Sequence, residues 1–141
     1  MKFSIPTEAD TRRIAREFAA SLKPHDAVLL HGALGMGKTV FARALIQALI
    51  GRGETVKSPS FTLLETYEYE GGAISHYDFY RIKSEDELFE LDLEDSLRRN
   101  LTIIEWPEIA ADIVDSAARP IHVYFSEKDG ARYIEITEPT R

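Results

Sequence analysis

The spacing of hydrophobic and polar positions changes several times along the chain, and each change marks an element. After Ile5-Pro6, the residues Ile14, Ala15, Phe18, Ala19 and Leu22 recur at three- and four-residue steps, which predicts a helix with one apolar stripe. Thr7 is placed to cap it, Asp10 to return the capping bond, and Pro24 to end it. Ala27-Val28-Leu29-Leu30 is an unbroken apolar run, the form of a strand covered on both faces. A glycine-bearing loop, Gly32 to Gly37, then leads into a second helical pattern carried by Phe41, Leu45, Ala48 and Leu49 and stopped by Gly51 and Gly53.

Lys57-Ser58-Pro59-Ser60 reads as a turn-forming loop. Alternation from Phe61 through Leu63, Glu65, Tyr67 and Tyr69 predicts a half-exposed strand, turned at Gly71-Gly72 into a second one, Ala73 to Tyr77. Ser84-Glu85-Asp86-Glu87 is a capping-box signature opening a helix that holds Leu88 and Leu91. Leu101 to Ile104 is another buried-strand run, closed by Glu105-Trp106-Pro107. A weak helix, Ile109 to Ala117, precedes a terminal hairpin, Ile121 to Phe125 and Arg132 to Ile136, turned at Asp129-Gly130. The expectation is an α/β fold, a three-layer sandwich with a mixed parallel and antiparallel central sheet, formed by residues 1–141 as a single domain.

Composition narrows the class. At 44% hydrophobic and 29% charged the chain has the make-up of an ordinary globular protein, not of a disordered segment or a coiled coil. No apolar run is long enough to span a membrane, and the N-terminus lacks the apolar core of a signal peptide. The absence of cysteine removes disulfides, thiol nucleophiles and Cys-based metal sites, and agrees with a cytoplasmic location. A net charge of −7 and a pI near 5.1 do not provide the clustered cations that hold nucleic acid, so any contact with RNA is expected to run through a partner.

Gly32-Ala33-Leu34-Gly35-Met36-Gly37-Lys38-Thr39 fits G-x-x-x-x-G-K-[ST] and lies between a buried strand and a helix. Glycines let backbone N–H groups point at a polyphosphate where a Cβ would not fit, and the helix N-terminus adds its positive end. Lys38 is expected to reach the terminal phosphates, and the Thr39 hydroxyl to ligate Mg²⁺. The glycine spacing is not that of the dinucleotide loop G-x-G-x-x-G.

A P-loop nucleotidase also needs a carboxylate at the end of a neighbouring strand. Glu105 ends the apolar run and is assigned to the magnesium shell; a solvated strand-end acid is the alternative. Asp78, in His76-Tyr77-Asp78-Phe79-Tyr80-Arg81, is assigned to orienting water or coupling a mobile loop to the γ-phosphate; the alternative is a turn-capping aspartate paired with Arg81. Trp106, the sole tryptophan, is either core or a neighbour of the nucleotide. The lone asparagine, Asn100, precedes Leu101, so the guanine-reading Asn-Lys-x-Asp is absent. No Arg-rich kinase lid stands out. The four histidines, His25, His31, His76 and His122, show no i, i+4 pair, and there is no nucleophile elbow.

Four ordered motifs, Gly32-x-Leu34-Gly35-x-Gly37-Lys38-Thr39, Ser58-Pro59-Ser60-Phe61-Thr62-Leu63, His76-x-Asp78-x-Tyr80-Arg81 and Glu105-Trp106-Pro107, resemble the bacterial TsaE (YjeE) family. Its members are small P-loop ATPases needed to form threonylcarbamoyladenosine in tRNA. The resemblance spans nearly the whole chain. It implies that Gly35, Met36, Gly37, Lys38, Thr39 and Val40 wrap the ATP phosphates while Thr39 and Glu105 serve Mg²⁺. It further implies a switch-like loop over Ser58 to Thr62, a role for Asp78 in hydrolysis, and Trp106 beside the nucleotide. Thr11 and Arg132 match positions on the adenine side. TsaD and TsaB are the implied partners, and the pair performs the transfer that the ATPase does not. Ala33, Met36 and Ser60 depart from the usual Asp, Ala and Thr. Met36 is the departure that bears on nucleotide affinity, although its backbone N–H still points inward.

The leading expectation is therefore a monomeric Mg-ATP hydrolase, slow alone and stimulated by its partners, because no arginine finger is evident in cis. The rival readings are a P-loop small-molecule kinase and a nucleotide-dependent binding module with incidental hydrolysis.

Overall fold

The computed structural model describes residues 1–51, 56, 63–115, 117 and 119–139. The strands β1 (Lys2–Ser4), β2 (Asp26–His31), β3 (Leu64–Tyr69), β4 (Gly72–Asp78), β5 (Leu101–Glu105), β6 (Arg119–Lys128) and β7 (Ala131–Thr137) form one sheet in the order β1-β7-β6-β2-β5-β4-β3. The two unbroken apolar runs, β2 and β5, are central and parallel to each other, with β6 and β4 parallel on either side. The alternating strands occupy the antiparallel edges, where one face can meet solvent. This is the mixed sheet that the patterns predicted.

Helices cover both faces. α1 (Glu8–Ala19) and α2 (Lys38–Ile50) pack on the face that carries Val28, Leu30, Ile103 and Val123. The short helices α3 (Asp86–Phe89), α4 (Leu93–Arg99) and α5 (Ala111–Val114) cover Ala27, Leu29, Tyr77 and Ile104 on the other. The Thr7 capping box forms as predicted. Thr7 Oγ1 accepts the Asp10 N–H at 3.3 Å, and Asp10 Oδ2 accepts the Thr7 N–H at 3.0 Å. No helix among the described residues is long and apolar enough to cross a membrane.

Several sequence expectations need correction. α1 ends at Ala19, before Leu22, and the Ser21 hydroxyl donates to Phe18 O at 2.8 Å just past its end. The β3–β4 turn falls on Glu70-Gly71, with Gly72 already opening β4. The helix expected after Ser84 stops at Phe89, because Asp92 takes a left-handed φ of 51° and the Leu91 carbonyl is claimed by the Tyr77 hydroxyl at 2.8 Å. α4, the helix that follows, has no clear signal in the sequence. The weak helix at 109–117 resolves into a 3-10 turn, Pro107–Ala110, and the four residues of α5. β1 was not predicted either, since three residues are too few to show a period and it is held by pairing with β7. The turn at Asp129-Gly130 is as expected, with φ of 53° and 80°.

The largest difference concerns β4. Its pattern predicted a half-exposed strand, yet everything from Ile74 to Asp78 is buried, Ser75, His76 and Asp78 included. β4 lies inside the sheet between β3 and β5, with cover on both faces. On the α4 side its polar groups are paired. Ser75 Oγ meets Ser96 Oγ at 3.0 Å, Asn100 donates to Ser75 Oγ at 2.9 Å, and the Tyr77 hydroxyl lies 2.8 Å from Ser96 Oγ.

Burial raises the Tyr77 pKa, so its hydroxyl stays protonated and able to donate. Removing that hydroxyl in Tyr77→Phe leaves the Leu91 carbonyl without its donor. The expected cost is about 2 kcal/mol, read as a melting temperature roughly 4–8 °C lower by calorimetry.

Candidate functional site

The level C-terminal ends of the parallel strands make the site. Leu30 of β2 stands opposite Glu105 of β5, and Glu105 opposite Asp78 of β4. Ligands of open α/β sheets bind beyond such strand ends. From His31 the chain enters the glycine loop at once. A Cβ on Gly32, whose φ is 151°, would sit 2.8 Å from Phe125 Cβ, so β6 packs hard against the base of the loop. Gly37, at φ 101°, turns the chain into α2 without a side-chain cap. The first amides of that 13-residue helix are thus left for an external acceptor.

Lys38 is only 5% exposed. Its ammonium folds back onto the loop, donating to the carbonyls of Gly32 and of Ala33, the latter at 3.1 Å. It also lies 3.5 Å from the centre of the Trp106 ring. Burial pushes its pKa below the ordinary 10.5, while Glu105, Glu108 and Asp78 act in the opposite sense. Trp106 holds a left-handed φ of 60°, a strained conformation for a residue with a side chain, and its ring meets Tyr80 at 4.9 Å.

Behind the lysine, Thr39 Oγ1 donates to Glu105 Oε1 at 2.7 Å, and Glu105 Oε2 lies 2.8 Å from His76 Nε2. Glu105 is therefore a buried carboxylate, 2% exposed, and not a solvated strand-end acid. Asp78 Oδ1 accepts the Tyr80 N–H at 3.0 Å, the geometry of a turn cap, while the side chain also faces the cavity.

Two adjoining cavities, of about 420 and 590 Å³, meet at Glu8, Gly35, Met36, Gly37 and Val40. Both volumes suit small-molecule sites. The first is lined by Lys38, Thr39, Asp78, Glu105 and Trp106, and the second by Thr11 and Arg132. Every described residue assigned to nucleotide, magnesium or hydrolysis in the sequence therefore lines one cavity or the other. Arg132 Nη1 donates to Gly35 O at 3.3 Å and its Nε pairs with Glu127 at 3.5 Å. Thr11 is buried beneath Gly37. Met36 packs against the α1–α2 core as well as lining both cavities. The Ser58 to Thr62 loop lies outside the described residues. Sequence reasoning missed Glu8, which lines both cavities, and the contact of His76 with Glu105. The signal for His76 was its place two residues before Asp78, on the same face of the strand.

A cradle of glycine backbone, a buried lysine and a hydroxyl coupled to a buried carboxylate fit a polyphosphate with a divalent cation. Fold and site together define an α/β protein with a P-loop NTPase-like fold. The solved structure of Bacillus YdiB superimposes on 98% of this chain and 84% of its own, with a TM-score of 0.72 and 26% identity. The chain belongs to the TsaE family, described as threonylcarbamoyl adenosine biosynthesis protein TsaE, whose profile matches residues 5–134. Relatives named tRNA threonylcarbamoyladenosine biosynthesis protein TsaE include that of Rickettsia bellii, 42% identical over 87% of this chain and 85% of its own. Those of Haemophilus influenzae and Aquifex aeolicus are 37% and 32% identical, over 96% and 85% of this chain and 88% and 92% of theirs.

The Lys38–Trp106 contact makes the sole tryptophan a reporter of the lysine's charge. Because burial lowers the Lys38 pKa, the ammonium is lost as pH rises through a value below the ordinary 10.5. Tryptophan emission should show a step below that pH, and Lys38→Met should abolish it.

Proposed function

We propose that this chain is a magnesium-dependent ATPase and the accessory subunit that acts with TsaD and TsaB in the threonylcarbamoyl modification of adenosine in tRNA. The observation that carries the reading is the convergence of Lys38 and the Thr39–Glu105 pair on one cavity at the start of α2. The tRNA role rests on membership of the TsaE family. The net charge of −7 supports contact with tRNA through the partners and not through this surface.

In this reading the amides of Gly35 to Val40 bind the phosphates, and the Lys38 ammonium exchanges its loop carbonyls for phosphate oxygens. Thr39 and Glu105 would hold Mg²⁺, the glutamate taking the hydroxyl proton of Thr39 as a hydrogen bond. Magnesium, when bound, supplies positive charge that offsets the charge developing on the γ-phosphate. Asp78, which accepts the Tyr80 N–H through Oδ1 and lines the same cavity, would orient the attacking water. Thr11 and Arg132 border the second cavity, which in this reading would take the adenosine part of ATP. Arg81 lines the first cavity and Arg132 is bonded to the Gly35 carbonyl, and in this reading partner binding completes the phosphate end of the site.

Release of γ-phosphate from Mg-ATP should be slow for the chain alone and faster with TsaB and TsaD added. Lys38→Ala should abolish it. Asp78→Ala and Glu105→Ala should lower kcat on the order of 10²-fold, with ATP still bound by Asp78→Ala. Phosphate appearing on a metabolite instead of free in solution would replace hydrolysis with a kinase reading. Variants without hydrolysis that still support tRNA modification would favour a binding module.

A further inference from the structure

His76 is the one buried imidazole in the centre of the sheet, fully buried on β4, and nothing in the proposed hydrolysis uses it. Its Nε2 lies 2.8 Å from Glu105 Oε2, while its Nδ1 is buried with no partner among the described residues. On the other face of β4, the side-chain oxygens of Ser75 and Tyr77 are both paired. A lone pair tolerates that isolation better than an N–H would, so the contact assigns the ring proton to Nε2 as the donor and leaves Nδ1 bare. A half-satisfied ring in a well-packed core points to a task for the other half. An apolar side chain here would leave no unmet polar atom of its own.

We propose that His76 is a positioning residue that pins the Glu105 carboxylate at Oε2, so that Oε1 stays turned to Thr39 and the divalent-cation position. Glu105 is then held at both oxygens, from α2 on one side and β4 on the other. Residues behind metal-binding groups commonly affect metal affinity in this way. The proposal rests on the magnesium–nucleotide reading for its consequence. The hydrogen bond itself does not.

Two measurements test it on the full chain. The first is ¹⁵N NMR of the ligand-free protein, in which His76 should show a protonated Nε2 and a bare Nδ1. A protonated Nδ1 with a bare Nε2 would overturn the proposal. The second compares ATP binding by calorimetry in EDTA and across a magnesium titration. His76→Leu should bind ATP in EDTA within about 2-fold of the wild type, yet need at least 10-fold more magnesium to reach half of the tightening. His76→Gln, whose amide N–H can donate from nearly the same place, should stay within about 3-fold. Equal magnesium dependence in all three proteins would overturn the proposal, and so would equal loss in both variants at unchanged melting temperature. Should His76→Leu fail to fold, His76→Gln and the NMR signature still decide. A wild-type chain that binds no ATP at all would instead overturn the nucleotide reading, with the NMR result still deciding the hydrogen bond.

Discussion

A carboxylate with 2% of its surface exposed is tolerated in the middle of a sheet only when both oxygens are met by donors, and much of this structure is arranged around meeting those of Glu105. Thr39 comes from the first turn of α2 and His76 from the interior of β4. Neither can be supplied unless β4 lies next to β5 and α2 packs on that face of the sheet. The cost of leaving either oxygen bare is several kcal/mol, comparable to a large part of a domain's net stability. Strand order and helix placement are thus tied to one side chain.

β4 shows how the fold serves two ends with one strand. Ile74, His76 and Asp78 lie on the face toward α2, where the first packs and the other two reach the site. Ser75 and Tyr77 lie on the opposite face, bonded to Ser96 within α4 and, for Tyr77, to Leu91 at the α3–α4 junction. Alternation of side chains along a strand makes this division possible. Burial on both faces means that shifting β4 by one residue would turn His76 and Asp78 into apolar packing and strand the serine and tyrosine hydroxyls. Register here is strongly specified.

The loop stores its cation in an unusual place. Lys38 satisfies its ammonium with carbonyls of its own loop and with the face of Trp106, whose backbone is held in a strained conformation to bring the ring there. An anion entering the cavity competes with those contacts for a charge that burial has already made less comfortable. In the proposed function this exchange couples occupancy of the loop to the Trp106–Tyr80 pair at the rim.

Much of this was legible in the residues themselves. The unbroken runs at 27–30 and 101–104 marked the parallel centre, because a strand covered on both faces has no polar period to keep. The glycine spacing at 32–37 with Lys38 and Thr39 marked the loop, because only such a backbone leaves its amides open. The Thr7 box and the Asp129-Gly130 turn were equally plain, each being a contact between near neighbours. What the sequence could not show is what distant segments do to one another. β4 alternates like an edge strand, and only its place beside β5, with helices on both sides, makes Ser75, His76 and Asp78 interior. α3 and α4 carry too few periodic positions to announce themselves, and the break between them follows the bond from Tyr77. His76 and Glu105 stand far apart along the chain. The sequence by itself determined the local chemistry of the loop and the core strands, whereas the tertiary structure alone decided which oxygen each buried polar group would meet, because hydrogen bonds of that kind depend on distance in space.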